Sequence, residues 1–343
     1  MKHILALLVG TIALTACASV ALAQAEKDPF EQNLRVEVSP RLPRAGESVF
    51  IVIESFSTNL NKATIEWRRN GAREARGIGL KTFSFTNGAL GTATTIAIRI
   101  TTAESRLIEK TLTFRPAHVD LILEAKSYRP PFYRGKSLLP YQGAATVTAV
   151  PTFIGSGGAR IAAKNLIYKW EVDGDAVGDA SGYGRQQFHT EAGALSDDSV
   201  VGVRVSTLDG TMQAEGEALL TPTQPKIVLY EDHPLYGILF GNALAEPFSL
   251  SGEEIRVVAV PYFFSVPSRL SALLEYDWAQ NGMSVRQGGD NALTLRVPEE
   301  GEGVASVSVR AQHAVKILQG ADAAAAIAFG EEGRRGGVFD FLR

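Results

Sequence analysis

The sequence predicts an all-β protein built from three tandem β-sandwich domains, and three observations predict it. A strand-and-turn signature occurs three times: Ile65-Glu66-Trp67-Arg68-Arg69-Asn70-Gly71, Tyr168-Lys169-Trp170-Glu171-Val172-Asp173-Gly174 and Tyr276-Asp277-Trp278-Ala279-Gln280-Asn281-Gly282. Its tryptophans, the only three in the chain, lie 103 and 108 residues apart, about the length of one sandwich domain. A Gly-x-Gly-x-x-x-Phe spacing follows the first two copies, as Gly77, Gly79 and Phe83, then as Gly182, Gly184 and Phe188. In each copy a large apolar residue stands two before the Trp, so both side chains face one side of a strand. Asn-Gly or Asp-Gly follows at a fixed offset, the strongest short-range signal for a tight hairpin. Trp67, Trp170 and Trp278 are therefore expected in the cores, and Gly71, Gly174 and Gly282 in the turns.

A chain of 343 residues is too long for one small core and suits two or three domains. Hydrophobic residues at 45% and charged residues at 21% place it among folded rather than disordered chains. Cys17 is the only cysteine. The sandwiches are thus expected to hold together by core burial without disulfides, and a cysteine nucleophile or thiolate metal site is excluded from them.

The N-terminus reads as a targeting segment over residues 1–23. Lys2 and His3 precede an uncharged apolar run from Ile4 to Ala16, and Ala21-Leu22-Ala23 offers the small-x-small pattern that a signal peptidase accepts, with cleavage before Gln24. Leu14-Thr15-Ala16-Cys17 also fits a bacterial lipobox, in which the Cys17 sulfur carries lipid and becomes the new N-terminus. An uncleaved membrane anchor is the third reading. Each buried CH₂ of an attached chain would add about 0.8 kcal/mol of membrane affinity.

After a polar lead, residues 24–32, the first repeat spans 33–116. Leu34, Val36 and Val38 alternate with polar residues, Gly46 precedes a strand at Val49 to Ile53, and the Trp67 strand leads to a turn at Gly77 and Gly79. Alternation at Thr94 to Ile100 and a last strand at Thr111 to Phe114 complete it. The second repeat, 117–225, opens with Val119 to Leu123 and a proline-aromatic stretch, Tyr128 to Gly135, that does not suit a central strand. Strands at Thr146 to Val150, around Trp170, at Phe188 and at Val200 to Val205 follow. In the third repeat, 226–330, Ile227 to Tyr230 precedes His233-Pro234-Leu235-Tyr236-Gly237, the expected counterpart of the proline-aromatic stretch. Ala259-Val260-Pro261-Tyr262-Phe263 copies Ala149-Val150-Pro151-Thr152-Phe153. Leu293 to Val297, Val304 to Val309 and an alanine-rich segment through Ile327 read as strands, the last by its place in the repeat. Residues 331–343, a Gly/Arg hinge ending in Val338-Phe339-Asp340-Phe341-Leu342, are expected to be a flexible tail.

The inward Trp two after an apolar residue, the polar-Gly hairpin and the closing run of alternating strands together resemble bacterial immunoglobulin-like and PKD-like domains. The resemblance covers nearly all of the chain after the targeting segment. Typical PKD domains carry Trp-Asp-Phe-Gly-Asp-Gly where these copies read Trp-Arg-Arg-Asn-Gly, Trp-Glu-Val-Asp-Gly and Trp-Ala-Gln-Asn-Gly. Antibody-type domains add an inter-sheet disulfide, absent here. The resemblance implies a spacer, an adhesive module or an assembly subunit of an exported protein.

Catalytic signatures are missing. His118, His189, His233 and His313 stand alone in separate segments, and no His-Glu-x-x-His, P-loop or Gly-x-Ser-x-Gly elbow occurs. Gly178-Asp179-Ala180-Ser181-Gly182 departs from the elbow by one residue and reads as a turn. Asp173, Asp175 and Asp179 form an acidic Gly-rich loop of the kind Ca²⁺ favours, although the other two copies offer only Asn70 or Asn281 there. They are the one metal candidate, set against a plain hairpin turn, and no cofactor is indicated. Tyr128, Phe132, Tyr133 and Tyr141, with Tyr236 and Phe240, crowd segments expected outside the strands. Phe132, Tyr133 and Tyr236 are a candidate partner surface, the alternative being packing across a domain junction.

Side-chain charges sum to +6 over 33–116, −3 over 117–225 and −5 over 226–330. This is either ordinary solvated surface, or a basic first domain that faces an anionic envelope or meets an acidic domain of another molecule. With an overall charge of −3 and no dense basic run, nucleic acid is not an expected partner. The sequence therefore points to an exported, non-enzymatic cell-surface or envelope protein whose three domains form a rod for adhesion, pilus or surface-layer assembly, or spacing. Its partner would be a protein or surface glycan, with self-association possible, and a membrane only through Cys17 lipid or an uncleaved signal. The alternatives are a carbohydrate-binding or hydrolase accessory module and an inner scaffold of a secretion or pilus machine.

Overall fold

A computed structural model of the chain describes residues 34–192, 198–244, 247–250, 252–285, 290–296 and 302–330. The targeting segment with Cys17, the polar lead and the tail from 331 onward lie outside the described residues. The described chain is all-β apart from two single 3-10 turns, Leu60–Lys62 and Ala163–Asn165, and forms three tandem immunoglobulin-like sandwiches. Internal contacts divide it into two compact units, one holding residues 34–38, 50–84 and 95–112, the other 39–49, 85–94 and everything described from 113 on.

Sandwich 1 contains β1 (Leu34–Ser39), β2 (Ser48–Ser55), β3 (Thr64–Arg69), β4 (Ala72–Ile78), β5 (Thr82–Thr86), β6 (Thr94–Thr101) and β7 (Leu107–Phe114). Its sheets run β1-β2-β5 and β4-β3-β6-β7. The alternation read from the sequence fixes the faces: Val49, Ile51 and Ile53 on β2, Ile65 and Trp67 on β3, and Ile96, Ile98 and Ile100 on β6 are all fully buried.

Sandwich 2 repeats this order with β8 (His118–Ala125), β9 (Ala144–Thr152), β10 (Ile167–Val172), β11 (Asp175–Tyr183), β12 (Gln187–Glu191), β13 (Ser199–Ser206) and β14 (Gln213–Leu220), in sheets β12-β9-β8 and β11-β10-β13-β14. One feature differs from the sequence reading. Gly178-Asp179-Ala180-Ser181 is no turn but a bulge in β11, standing opposite Lys169 between the pairs Tyr168 to Gly182 and Trp170 to Val177. The Ser181 hydroxyl closes the bulge, accepting the Trp170 N–H at 2.9 Å and donating to the Val177 carbonyl at 2.7 Å.

Sandwich 3 contains β15 (Lys226–His233), β16 (Gly237–Ala243), β17 (Phe248–Ser249), β18 (Glu254–Tyr262), β19 (Leu274–Gln280), β20 (Met283–Val285), β21 (Ala292–Arg296), β22 (Gly303–His313) and β23 (Gly320–Phe329). Its sheets are β16-β15-β18-β21 and β17-β23-β22-β19-β20. The alanine-rich segment is strand β23, because its residues pair with β22 from Gly303–Phe329 to Gln312–Gly320. The expected equivalence of the two proline-aromatic stretches fails. Tyr128 to Gly135 is irregular, whereas His233 to Gly237 turns a hairpin whose return strand β16 adds an edge and carries Phe240.

That extra strand explains an unbroken apolar run. Ile227, Leu229, Ile255, Val257 and Ala259 face the main core, while Tyr230, Val258, Val260 and Ala292 form a second small cluster on the other face, packed with Ile238 and Phe240 of β16. Both faces of β15 and β18 are thus covered, and continuous hydrophobicity replaces alternation.

Candidate functional site

The three Trp-turn signatures build the same local device. Each hairpin has positive φ at both turn residues: 48° and 86° at Asn70-Gly71, 51° and 88° at Asp173-Gly174, 48° and 77° at Asn281-Gly282. Two positive φ values match the turn to the strand twist, and only Gly adopts the second at no steric cost. The first residue then clasps the neighbouring strand twice. The backbone N–H groups of Asn70, Asp173 and Asn281 donate to Thr95, Val200 and Ser306 carbonyls at 2.8, 2.9 and 2.8 Å. Their side-chain Oδ1 atoms accept the N–H of those same three residues at 2.9, 2.7 and 2.9 Å.

The three calcium candidates fall on the second hairpin and the strand that follows it. Asp173 accepts the Val200 N–H on Oδ1, and Asp175 and Asp179 lie along β11. Among the described residues no three His, Cys, Asp or Glu side chains converge.

Trp67, Trp170 and Trp278 are 0%, 1% and 2% exposed. Their Nε1 groups donate to the carbonyls of Leu80, Arg185 and Asp290 at 3.0, 2.9 and 3.0 Å, so each buried polar handle is satisfied. Phe83 and Phe188 stack on the first two indoles at 5.1 and 5.6 Å, and buried Leu293 follows Asp290 at the corresponding offset in the third. Gly79 and Gly184 make the approach possible: a Cβ there would stand 3.3 Å from the Asn61 carbonyl oxygen and 3.1 Å from that of Lys164.

The proline-aromatic stretch of sandwich 2 reaches sandwich 3. Tyr128 forms a two-way backbone pair, its N–H donating to the Phe264 carbonyl and its carbonyl accepting the Phe263 N–H, both at 2.7 Å. The Tyr128 ring packs against the core cluster of sandwich 3, and burial raises its phenol pKa. Tyr133 sets its edge to Tyr262 and Phe263 at 5.7 and 5.6 Å. The hydroxyls of Tyr262 and Tyr230 lie 2.7 Å apart, and burial first, then that bond, raises the Tyr262 pKa.

A polar lock completes this junction. Gln319, fully buried, donates from Nε2 to the Tyr141 carbonyl at 2.7 Å and to the Ser265 hydroxyl at 2.8 Å, while its Oε1 accepts the Ser265 N–H at 2.8 Å. Gln142 accepts the Leu318 N–H at 3.0 Å and, through its carbonyl, the Lys316 ammonium. Gln224 reaches the Gly320 carbonyl at 2.5 Å. These glutamines carry no sequence signal, because a loop amide belongs to no hydrophobic period.

The candidate partner residues separate. Tyr133 is used inside the chain. Phe132 is 88% exposed with φ at 66°, unusual for a bulky residue, and its ring centre is 6.3 Å from that of Phe240. Tyr236, 76% exposed beside Leu235 in the β15–β16 hairpin, stacks on His233 at 4.7 Å.

A further repeat lies on the outward face of the tryptophan-bearing sheets. One residue after the partner of each Trp stands an arginine that meets an acid on the next strand: Arg99 with Glu109 at 2.6 Å, Arg204 with Glu215 at 2.5 Å, Arg310 with Asp322 at 3.4 Å. Ile98-Arg99-Ile100, Val203-Arg204-Val205 and Val309-Arg310-Ala311 are its signature in the sequence.

No known family matches the chain, and no curated protein does. Among solved structures it is similar to the fibronectin(III)-like modules of Clostridium thermocellum CbhA, at 14% identity over 55% of this chain and 95% of that one, with a TM-score of 0.28. The three N-terminal domains of the bacteriophage RB49 outer capsid protein Hoc match at 12% identity over 87% and 97%, TM-score 0.25. The central fibronectin-III array of RIM-binding protein matches at 14% over 87% and 96%, TM-score 0.29. Each sandwich is assigned by its own strand order.

Proposed function

We propose that this chain is a non-enzymatic envelope or cell-surface protein whose sandwich array is exported to space or assemble other components. The observation that carries this reading is the junction of sandwiches 2 and 3. A backbone pair at Tyr128, an aromatic contact at Tyr133 and a buried Gln319 fix two neighbouring domains to each other, where flexible linkage is the common arrangement. Investment in a fixed junction suits a spacer or an assembly subunit, since both depend on holding their contact surfaces at a set distance. Phe132 and Tyr236 supply exposed apolar contact area of the kind found at the centre of interfaces.

Fractionation of the source cells with intact-mass measurement tests it. The expected product sits in the envelope or medium and begins at Gln24 or at a lipid-bearing Cys17. Full-length chain retained in the cytoplasm would overturn the proposal.

The open Tyr236 face, backed by His233, favours one second reading, a glycan-binding module. A glycan array with hits that vanish in Tyr236→Ala would select it.

A further inference from the structure

We propose that the loop joining β8 to β9, residues 126–143, docks sandwich 2 reversibly onto a membrane surface that carries anionic lipid, with Phe132 entering the headgroup layer. Such a contact adds a partner to the envelope reading above and stands without it, since purified chain and vesicles are enough to read it.

The loop is basic and contains no acid. No Asp or Glu occurs between Glu124 and Glu171, whereas Lys126, Arg129, Arg134 and Lys136 all fall within residues 126–136. All four are exposed, and no described carboxylate pairs with them. Sandwich 2 sums to −3 over 117–225, so the loop opposes the sign of its own domain.

The apex of the loop is apolar. The Tyr133 N–H donates to the Pro130 carbonyl at 3.3 Å, closing a turn whose corner residues are Pro131 and Phe132. With φ at 66°, Phe132 occupies the second corner of the turn type that takes Pro first and Gly second. A bulky ring thus stands where glycine would be free of strain, and it is 88% exposed. The residues around it hold the backbone: Tyr128 pairs with Phe263 and Phe264, and the Tyr133 ring lies edge-on to Tyr262 and Phe263. Phe132 itself meets that aromatic cluster at its rim, beside Phe240, whose strand β16 has no charged residue from Gly237 to Ala243.

Charge and apolarity together choose the occupant. Packing at the domain junction uses Tyr128 and Tyr133 and leaves the cations and Phe132 in water. A soluble polyanion would satisfy the cations and still leave the ring exposed. An anionic membrane takes both: the ring is buried at the boundary of headgroups and acyl chains, while each long cationic side chain keeps its head at the lipid phosphates. One ring and four cations fall short of a permanent anchor, so binding is expected to be reversible and to weaken with salt.

Co-sedimentation of the mature chain, residues 24–343, with vesicles tests this. Vesicles of equal parts phosphatidylglycerol and phosphatidylcholine are expected to bind it at about 0.1 M salt, and pure phosphatidylcholine far less. At about 1 M salt, binding to the anionic vesicles should fall to the level of the neutral ones. R134Q/K136Q should weaken binding about 30-fold, at about five-fold per cation. Phe132→Gly should weaken it about ten-fold or more while the melting temperature holds or rises, because glycine suits the turn, and this separates loss of contact from loss of fold. In Phe132→Trp, the added indole should shift its emission to the blue on anionic vesicles, against three tryptophans that are already buried. Leu208→Ser, which changes an exposed apolar residue between β13 and β14, should bind as wild type does.

A chain that fails to pellet with anionic vesicles, binding indifferent to lipid charge or to salt, or Phe132→Gly binding as tightly as wild type would overturn the proposal. The last result, joined with retention on heparin that R134Q/K136Q loses, would assign the loop to a soluble polyanion instead. A chain retained in the cytoplasm would sink the envelope reading and leave the vesicle result standing.

Discussion

Asn70, Asp173 and Asn281 each combine a conformational requirement with a hydrogen bond, and that combination explains why the repeats preserve a short polar residue there. All three lie in the left-handed region, which Asn and Asp enter more readily than other side chains, and all three use Oδ1 on the adjacent strand. Asn281→Ala loses the bond from Ser306 N–H and places a Cβ with no local polar compensation at φ 48°. The expected cost is about 1–2 kcal/mol, read as a fall in the urea midpoint at constant slope. Asn281→Asp retains both features and should come within a few tenths of wild type. These residues were legible in the sequence because the device is local, spanning a turn and one neighbouring strand. The bond from Val200 N–H to Asp173 was not legible, because the two residues are remote in sequence.

The loop between β22 and β23 turns a strand end into a domain contact, and His313 governs its shape. Only 3% exposed, His313 accepts at Nδ1 the N–H groups of Val315 and Lys316, both at 3.1 Å, which turns the chain so that Lys316, Leu318 and Gln319 meet Gln142 and Tyr141. A proton on Nδ1 abolishes that acceptor and puts a cation beside Lys316. The other groups set against His313 are uncharged: Leu274 across the sheet, Ser265, and the backbone of Gln319. Burial, reinforced by Lys316, pushes the His313 pKa below its ordinary value. The unfolded chain therefore binds this proton first as pH falls below about 6.5, and stability falls with it, levelling off once the folded histidine also titrates. His313→Asn keeps a side-chain acceptor that does not titrate, so its melting temperature should vary less between about pH 7.5 and pH 5 than that of wild type. Equal slopes in the two proteins would show that another group carries the acid sensitivity. None of this loop was legible in the sequence, where a solitary histidine among Ala, Val and Gln has no period to reveal burial.

At the scale of the whole molecule, the sequence announced three sandwiches because each core reads locally as alternation plus a tryptophan, while the connection of the second to the third depends on pairings between distant segments. Tyr128 is followed by Arg129-Pro130-Pro131, which signals irregular backbone, yet nothing near it signals that its partner is Phe263. That pairing has a thermodynamic consequence. The Tyr128 ring packs against the core of sandwich 3 while the preceding strand, β8, belongs to sandwich 2, so unfolding of either domain is expected to expose surface that the other covers. Trp170→Ala and Trp278→Ala should each cost about 3–5 kcal/mol, and both should lower the same calorimetric transition although they sit in different sandwiches. Tyr128→Ala combined with Gln319→Ala removes the core plug and the buried amide lock, and is expected to split that transition in two. In this background Trp278→Ala should move one component alone. If Trp278→Ala in the wild-type background already left a separate, unshifted transition for sandwich 2, the junction would be a contact without coupling, and its glutamines would set orientation without adding to cooperativity.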